Sequence, residues 1–190
     1  MKLKGSKTEK NLLAAFAGES QARNRYTYFA SAAKKAGYEQ IAAIFLETAE
    51  NEKEHAKRFF SFLEGGMAEF TASFPAGRIG STIENLKAAA EGEHEEWTNL
   101  YPRNADVARQ EGFAEVAGAF SYISQVEIKH ELRYLKLLEN IKQGTVFKTE
   151  NTAIWKCRNC GYYHEGLTVP EQCPACLHPK GFFELLAENY

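Results

Sequence analysis

The chain has 190 residues, 44% of them hydrophobic, which suffices for a buried core in one ordinary domain or in a bundle with a small appendage. Lys+Arg 23 against Asp+Glu 25 gives a net charge of −2, so no overall positive field draws the chain to nucleic acid or to an anionic membrane. No apolar run approaches the roughly 18 residues of a spanning helix. Lys2, Lys4, Lys7 and Lys10 ahead of Leu12–Ala17 imitate a secretory signal, but the apolar stretch is shorter than the roughly 7 to 15 residues such a signal needs, and its spacing runs on into a helix. A cytoplasmic location is the expectation.

Four long helical patterns follow, each with apolar residues three and four apart. In the first, over 7–36, the stripe is Leu12, Phe16, Glu19, Ala22, Tyr26, Phe29 and Ala33, and Gly37 ends it. In the second, over 38–65, Ile41, Phe45, Thr48, Phe59 and Phe62 place Glu52 and His55 on the same buried line, whereas Glu47, Glu50 and Glu54 fall off it. The glycine-rich segment from Gly65 to Gly80, with Phe74-Pro75, is too long for a tight turn and reads as a crossover. The third pattern, over 80–111, runs Ile83, Leu86, Ala90, Glu93, Trp97 and Leu100, with Glu96 beside it. The fourth, over 112–143, runs Val116, Phe120, Ile123, Glu127, His130, Tyr134, Leu137 and Ile141. Short, long and short connections make this a mainly α fold with the topology of ferritin-like four-helix bundles.

Each helix thus turns at least one carboxylate inward, and Arg and Lys are missing from the middle of every stripe. Buried carboxylates without counter-ions are very costly and would repel one another, so the pattern calls for metal cations. Glu-x-x-His sets its two side chains about 60° apart around the helix axis and one turn along it, so both can converge on one ion. Glu52–His55 and Glu127–His130 supply two such pairs, and Glu19 and Glu93 stand alone on the alternate helices, which is the ligand set of ferritin-like di-iron proteins. An internal repeat supports this reading: Glu19 to Glu52 is 33 residues and Glu93 to Glu127 is 34. The repeat breaks where Glu96 follows Glu93, because Ala22 holds the matching place after Glu19. Tyr26 and Tyr101 are either ordinary core tyrosines or phenols that hydrogen-bond metal-bound carboxylates.

The composition changes after Gly144. Thr145–Ile154 reads as a short extended link, and the chain divides into 1–145 and a second unit, 146–190, too small to be held by a hydrophobic core alone. Its staple is Cys157-x-x-Cys160 and Cys173-x-x-Cys176, two knuckles twelve residues apart that offer four tetrahedral thiolates to zinc or to a single iron. His164 and His178 are expected at the surface of this unit.

These residues identify a resemblance that covers essentially the whole chain. Ala-Gly-Glu-Ser-Gln-Ala-Arg-Asn-Arg-Tyr at 17–26, Glu-Lys-Glu-His-Ala-Lys-Arg at 52–58 and Gly-Glu-His-Glu-Glu at 92–96 resemble the di-iron bundle of the rubrerythrin family. Trp-Lys-Cys-Arg-Asn-Cys-Gly-Tyr at 155–162 and Cys-Pro-Ala-Cys-Leu-His-Pro-Lys at 173–180 resemble its rubredoxin-like domain, which has short β-strands.

The resemblance implies two iron ions in the bundle, bridged by Glu52 and Glu127, with Glu19 terminal to one and Glu93 and His130 to the other. Glu96 and His55 then alternate on the first, and a third iron sits on the four cysteines. It also implies a homodimer that reduces hydrogen peroxide to water in oxidative-stress defence, refilled with electrons from an upstream reductase or rubredoxin. Ferritin-like oxidation of ferrous iron is the alternative, and a zinc-only tail is another. Leu177 departs from free rubredoxins, which usually carry Gly after the second knuckle.

Overall fold

The structure is a computed structural model and describes residues 2–189. Its helical part contains α1 (Lys7–Lys35), α2 (Glu39–Phe60), α3 (Thr82–Glu95), α4 (Tyr101–Gln110) and α5 (Ala114–Lys142), with one π-turn, Glu96–Leu100, joining α3 to α4 into a single rod. Four rods therefore form the expected bundle, and the mainly α, ferritin-like architecture holds. The π-turn was not expected from a pattern that ran unbroken over 80–111.

Local chemistry sets the ends. The Ser6 hydroxyl accepts from the N–H of Glu9 at the start of α1, and Ser81 with Glu84 forms a reciprocal capping box at the start of α3. Gly37 and Gly112 stand at φ 81°, and each lets the next residue donate back into the last helical turn, Tyr38 to Ala33 and Phe113 to Ala108. The internal repeat thus extends to the caps of α1 and α4. The second helix stops at Phe60, short of the expected residue 65, because the N–H groups of Phe62 and Leu63 turn back to Phe59 and Phe60 in a tighter final turn. Ile83, expected inside, is exposed, since Thr82 and Asn85 take the inward positions at the start of α3.

Two apolar clusters fill the bundle. One gathers Tyr26, Phe29, Phe45, Leu86 and Tyr134; the other gathers Leu12, Phe59, Tyr101 and Phe120. The carboxylates lie between them, so hydrocarbon closes the site from both ends of the bundle.

The tail forms an antiparallel sheet of order β2-β1-β3, from β1 (Lys148–Cys157), β2 (Tyr163–Thr168) and β3 (Phe183–Leu185). The expected extended link is therefore mostly the first half of a paired strand. Trp155 is buried under the sheet and donates its indole N–H to the carbonyl of Gly166. The tail packs on the α1–α2 turn of its own bundle: Tyr38 stacks on Phe147 at 6.0 Å and 6°, and Gly181 lies directly against the carbonyl of Gly37. No helix among the described residues is long and apolar enough to cross a membrane.

Candidate metal centres

The bundle brings together two sets of donors whose ligand atoms lie within 4.8 Å of one another: Glu19, Glu52, His55 and Glu127, and then Glu52, Glu93, Glu127 and His130. Glu52 and Glu127 belong to both, as bridging carboxylates would. Nδ1 of His55 stands 2.8 Å from Glu52, 3.0 Å from Glu127 and 3.7 Å from Glu19. Nδ1 of His130 stands 2.8 Å from Glu127, 3.1 Å from Glu52 and 3.7 Å from Glu93. Glu96, the seventh residue named from sequence, joins neither set. It sits at the start of the π-turn, keeping some contact with solvent.

The electrostatics call for cations. Burial, then repulsion from Glu96, Glu52 and Glu127, pushes Glu19 well above the usual carboxylate range. Burial and Glu52 raise Glu93 to about 8. At Glu96 protein encloses the carboxyl, and burial followed by Glu93, Glu127 and Glu52 drives it up. Burial works against a charged imidazole, but the carboxylates outweigh it, raising His55 to about 9 and His130 to about 12. Burial alone would likewise raise Glu52, yet the two imidazoles hold it below its ordinary value.

The donor set fits two metal ions on a direct observation: Oε2 of Glu19 and Oε2 of Glu93 are buried without any hydrogen-bond partner, and Oε1 of Glu52, both carboxylate oxygens of Glu127 and Nδ1 of His130 are buried with only the two imidazoles and one another close by. Buried acceptors are almost never left so, and all of these belong to the two donor sets. Oxygen and imidazole donors with this much negative charge suit a pair of iron ions.

The two phenols cross over. Tyr26 on α1 donates to Glu93 on α3 at 2.5 Å, and Tyr101 on α4 donates to Glu19 on α1 at 2.5 Å. Both are fully buried, and burial first, then the nearby carboxylates, holds both hydroxyls in the protonated form that can donate. Each lies in an aromatic trio: Tyr26, Phe45 and Tyr134 at one end, Tyr101, Phe120 and Phe59 at the other. Phe45 and Phe120 precede the bridging glutamates by seven residues, and Phe59 and Tyr134 follow them by seven. The trios therefore match except for one hydroxyl, that of Tyr134, which is buried beside Thr48. Laying the two halves of the repeat side by side would have singled it out.

In the tail the four cysteines form the third donor set. Sγ of Cys157 lies 3.8 Å from that of Cys176, and Sγ of Cys160 lies 3.7 Å from that of Cys173. Backbone amides point at the sulfurs as they would at anions. The N–H of His178 holds Cys176 down to about 6. The N–H of Tyr162 acts the same way on Cys160, but the neighbouring thiols Cys176 and Cys173 override it and push that group to about 12. Four thiolates at this spacing require a shared cation. Gly161 closes the first knuckle at φ 76°, and Leu177 takes the matching place in the second at φ 60°. His164 and His178 are half-buried and bond to backbone carbonyls of Thr168 and Cys176, outside the donor set.

Comparison with known proteins places this arrangement. The family model described as Rubrerythrin matches residues 10–138, and that for the rubredoxin-like domain of rubrerythrin matches residues 155–184. The chain is 64% identical to a rubrerythrin of Porphyromonas gingivalis over 99% of its own length and 94% of that protein's. It is 58% identical to a rubrerythrin of Nitratidesulfovibrio vulgaris, covering 99% and 98%. A solved nigerythrin in its fully reduced, all-ferrous state superposes with a TM-score of 0.64 at 33% identity, covering 97% of this chain and 91% of that one. With a di-iron carboxylate–histidine site in the bundle and a four-cysteine rubredoxin-like knuckle in the tail, the chain belongs to the rubrerythrin family, a family of iron oxidoreductases.

Proposed function

We propose that the protein reduces hydrogen peroxide to water at the bundle site and is re-reduced through the tetrathiolate, in defence against oxidative stress. The observation that carries the reading is the presence, on one chain, of a buried site for two metals and a separate site for a one-electron carrier. Storage of iron would have no use for the second. When bound, two ferrous ions supply the two electrons that cleave the O–O bond.

The chain's own groups do the rest. Glu52 and Glu127 span the two positions; Glu19 with His55, and Glu93 with His130, close the two ends. The phenols of Tyr101 and Tyr26 hold Glu19 and Glu93 in place. His55 occupies the first donor set while Glu96 stands aside, which is the arrangement the resemblance assigns to the reduced state. His55 and Glu96 are the residues that would share this position: with Glu96 in place of the imidazole the donor set would carry one more negative charge, and the proton held on Glu96 by burial and the neighbouring carboxylates would be available to the site. The aromatic trios keep bulk water out.

The same reading makes the protein a cytoplasmic homodimer supplied by a reductase or a rubredoxin, with 1–145 and 146–190 as its two working units. Reduced, iron-loaded protein mixed with measured peroxide tests it. One peroxide consumed per di-iron site, with the tetrathiolate colour bleached by reductant and restored by peroxide, is the expected result. A ferroxidase would instead consume oxygen on added ferrous iron and leave the tail's colour idle, and zinc in the tail would show no colour there.

A further inference from the structure

The two imidazoles are held unequally. Nε2 of His130 lies 3.3 Å from Oδ1 of Asn51, on the opposite helix. Nδ1 of His130 faces three carboxylates at the metal position, so with a metal ion on Nδ1 the ring's one remaining proton is on Nε2, where that amide oxygen can accept it. The ion pair of Arg133 with Glu47, one helical turn before Asn51, ties α5 to α2 at 2.8 Å. His55 presents Nδ1 to its carboxylates in the same way, but its Nε2 makes no hydrogen bond among the described residues.

The internal repeat explains the difference. Asn51 is the residue before Glu52, and the residue before Glu127 is Val126, whose apolar side chain can accept nothing. The His55 side chain is also the more open, 12% exposed against 3% for His130.

We propose that Asn51 is a positioning residue that fixes His130 as the stationary imidazole, and that Val126, by offering no such partner, leaves His55 as the imidazole free to leave its metal position. A ligating histidine is oriented by whatever accepts its second N–H. With the acceptor, rotation about the side-chain bonds breaks a partly buried hydrogen bond; without it, rotation breaks none. The inference rests on the two-metal reading of the site but not on the substrate.

Proton NMR of the cobalt(II)-loaded full chain tests it without any turnover. The imidazole N–H protons of the two ligands should appear as shifted, exchangeable signals, one persistent and one lost to rapid exchange with water. In N51L the persistent signal should also exchange rapidly, and ferrous iron should pass to a chelator about tenfold faster. N51D, which retains an acceptor, should preserve it. V126N should slow exchange of the second signal, because it gives His55 the partner it lacks. Equal protection of both protons in the unaltered protein, or a persistent signal unchanged in N51L, overturns the proposal. Failure of peroxide turnover with these signals intact would count against the peroxidase reading alone.

Discussion

Tyr101 donates its phenolic hydrogen to Glu19 at 2.5 Å, across the bundle and 82 residues away in sequence. That bond leaves one oxygen of Glu19 committed and the other aimed at the metal position. Y101F should bind the same complement of iron and lower peroxide turnover about tenfold, the usual scale for removing a partner of a ligand. Metal analysis beside stopped-flow peroxide reduction checks both halves. Unchanged turnover would make Tyr101 a packing residue only.

Glu96 lies outside both donor sets and is still surrounded by carboxylates. E96A should therefore keep two metals and slow re-oxidation by peroxide about tenfold or more, since no carboxylate can replace His55. Loss of metal from E96A would mean that Glu96 belongs to the resting site.

Removing the metals should make stability depend on pH in a definite sense. Glu93, raised by burial and Glu52 from 4.5 to about 8, holds a proton more tightly folded than unfolded. So does His55, raised against its burial from 6.5 to about 9 by Glu127 and Glu52. The folded chain then binds more protons than the unfolded one, and stability falls as pH rises. For Glu93 the contribution is fully present below about pH 4.5 and gone above about 8; for His55 the window runs from about 6.5 to about 9. Glu52, shifted the other way, acts only on the acid side. Urea midpoints of chelator-treated protein from pH 5 to 9 should fall steadily, and reloading iron should flatten the curve.

Tyr134 differs from its repeat partner Phe59 by one buried hydroxyl, set beside the side chain of Thr48. A hydrogen bond with Thr48 is worth about 0.5–1.5 kcal/mol, so Y134F should lower thermal stability by about 1 kcal/mol. Unchanged or raised stability would show that the hydroxyl is unsatisfied.

Gly181 allows the tail to sit on the bundle, because a Cβ there would overlap the carbonyl oxygen of Gly37. G181A should retain all its iron yet release the tail from the α1–α2 turn, seen as faster proteolysis around 143–148 and an increased radius of gyration by small-angle scattering. Identical scattering would show that the contact has room to relax.

Much of this was legible in the sequence, for definite reasons. The inward carboxylates stand out because a glutamate on an apolar stripe violates the one rule a bundle helix otherwise obeys, and Cys157, Cys160, Cys173 and Cys176 declare themselves by spacing alone. What escaped depends on partners distant along the chain. Thr145 to Ile154 looked like a linker because nothing nearby says that Lys148, Ala153 and Ile154 pair with β2. The crossed phenols required knowing which helices face each other, and the grip of Asn51 on His130 spans 79 residues. The π-turn did leave a trace: Tyr26 follows Glu19 by seven residues, while Tyr101 follows Glu93 by eight.

That extra residue has a lasting effect. A π-turn amounts to one residue inserted into a helix, and here it falls between Glu93 and Tyr101, on the half that also carries Glu96. The inequality of the two metal positions is therefore recorded as chain length as well as side-chain identity. Substitutions alone cannot make the halves equivalent; that would require deleting a whole codon.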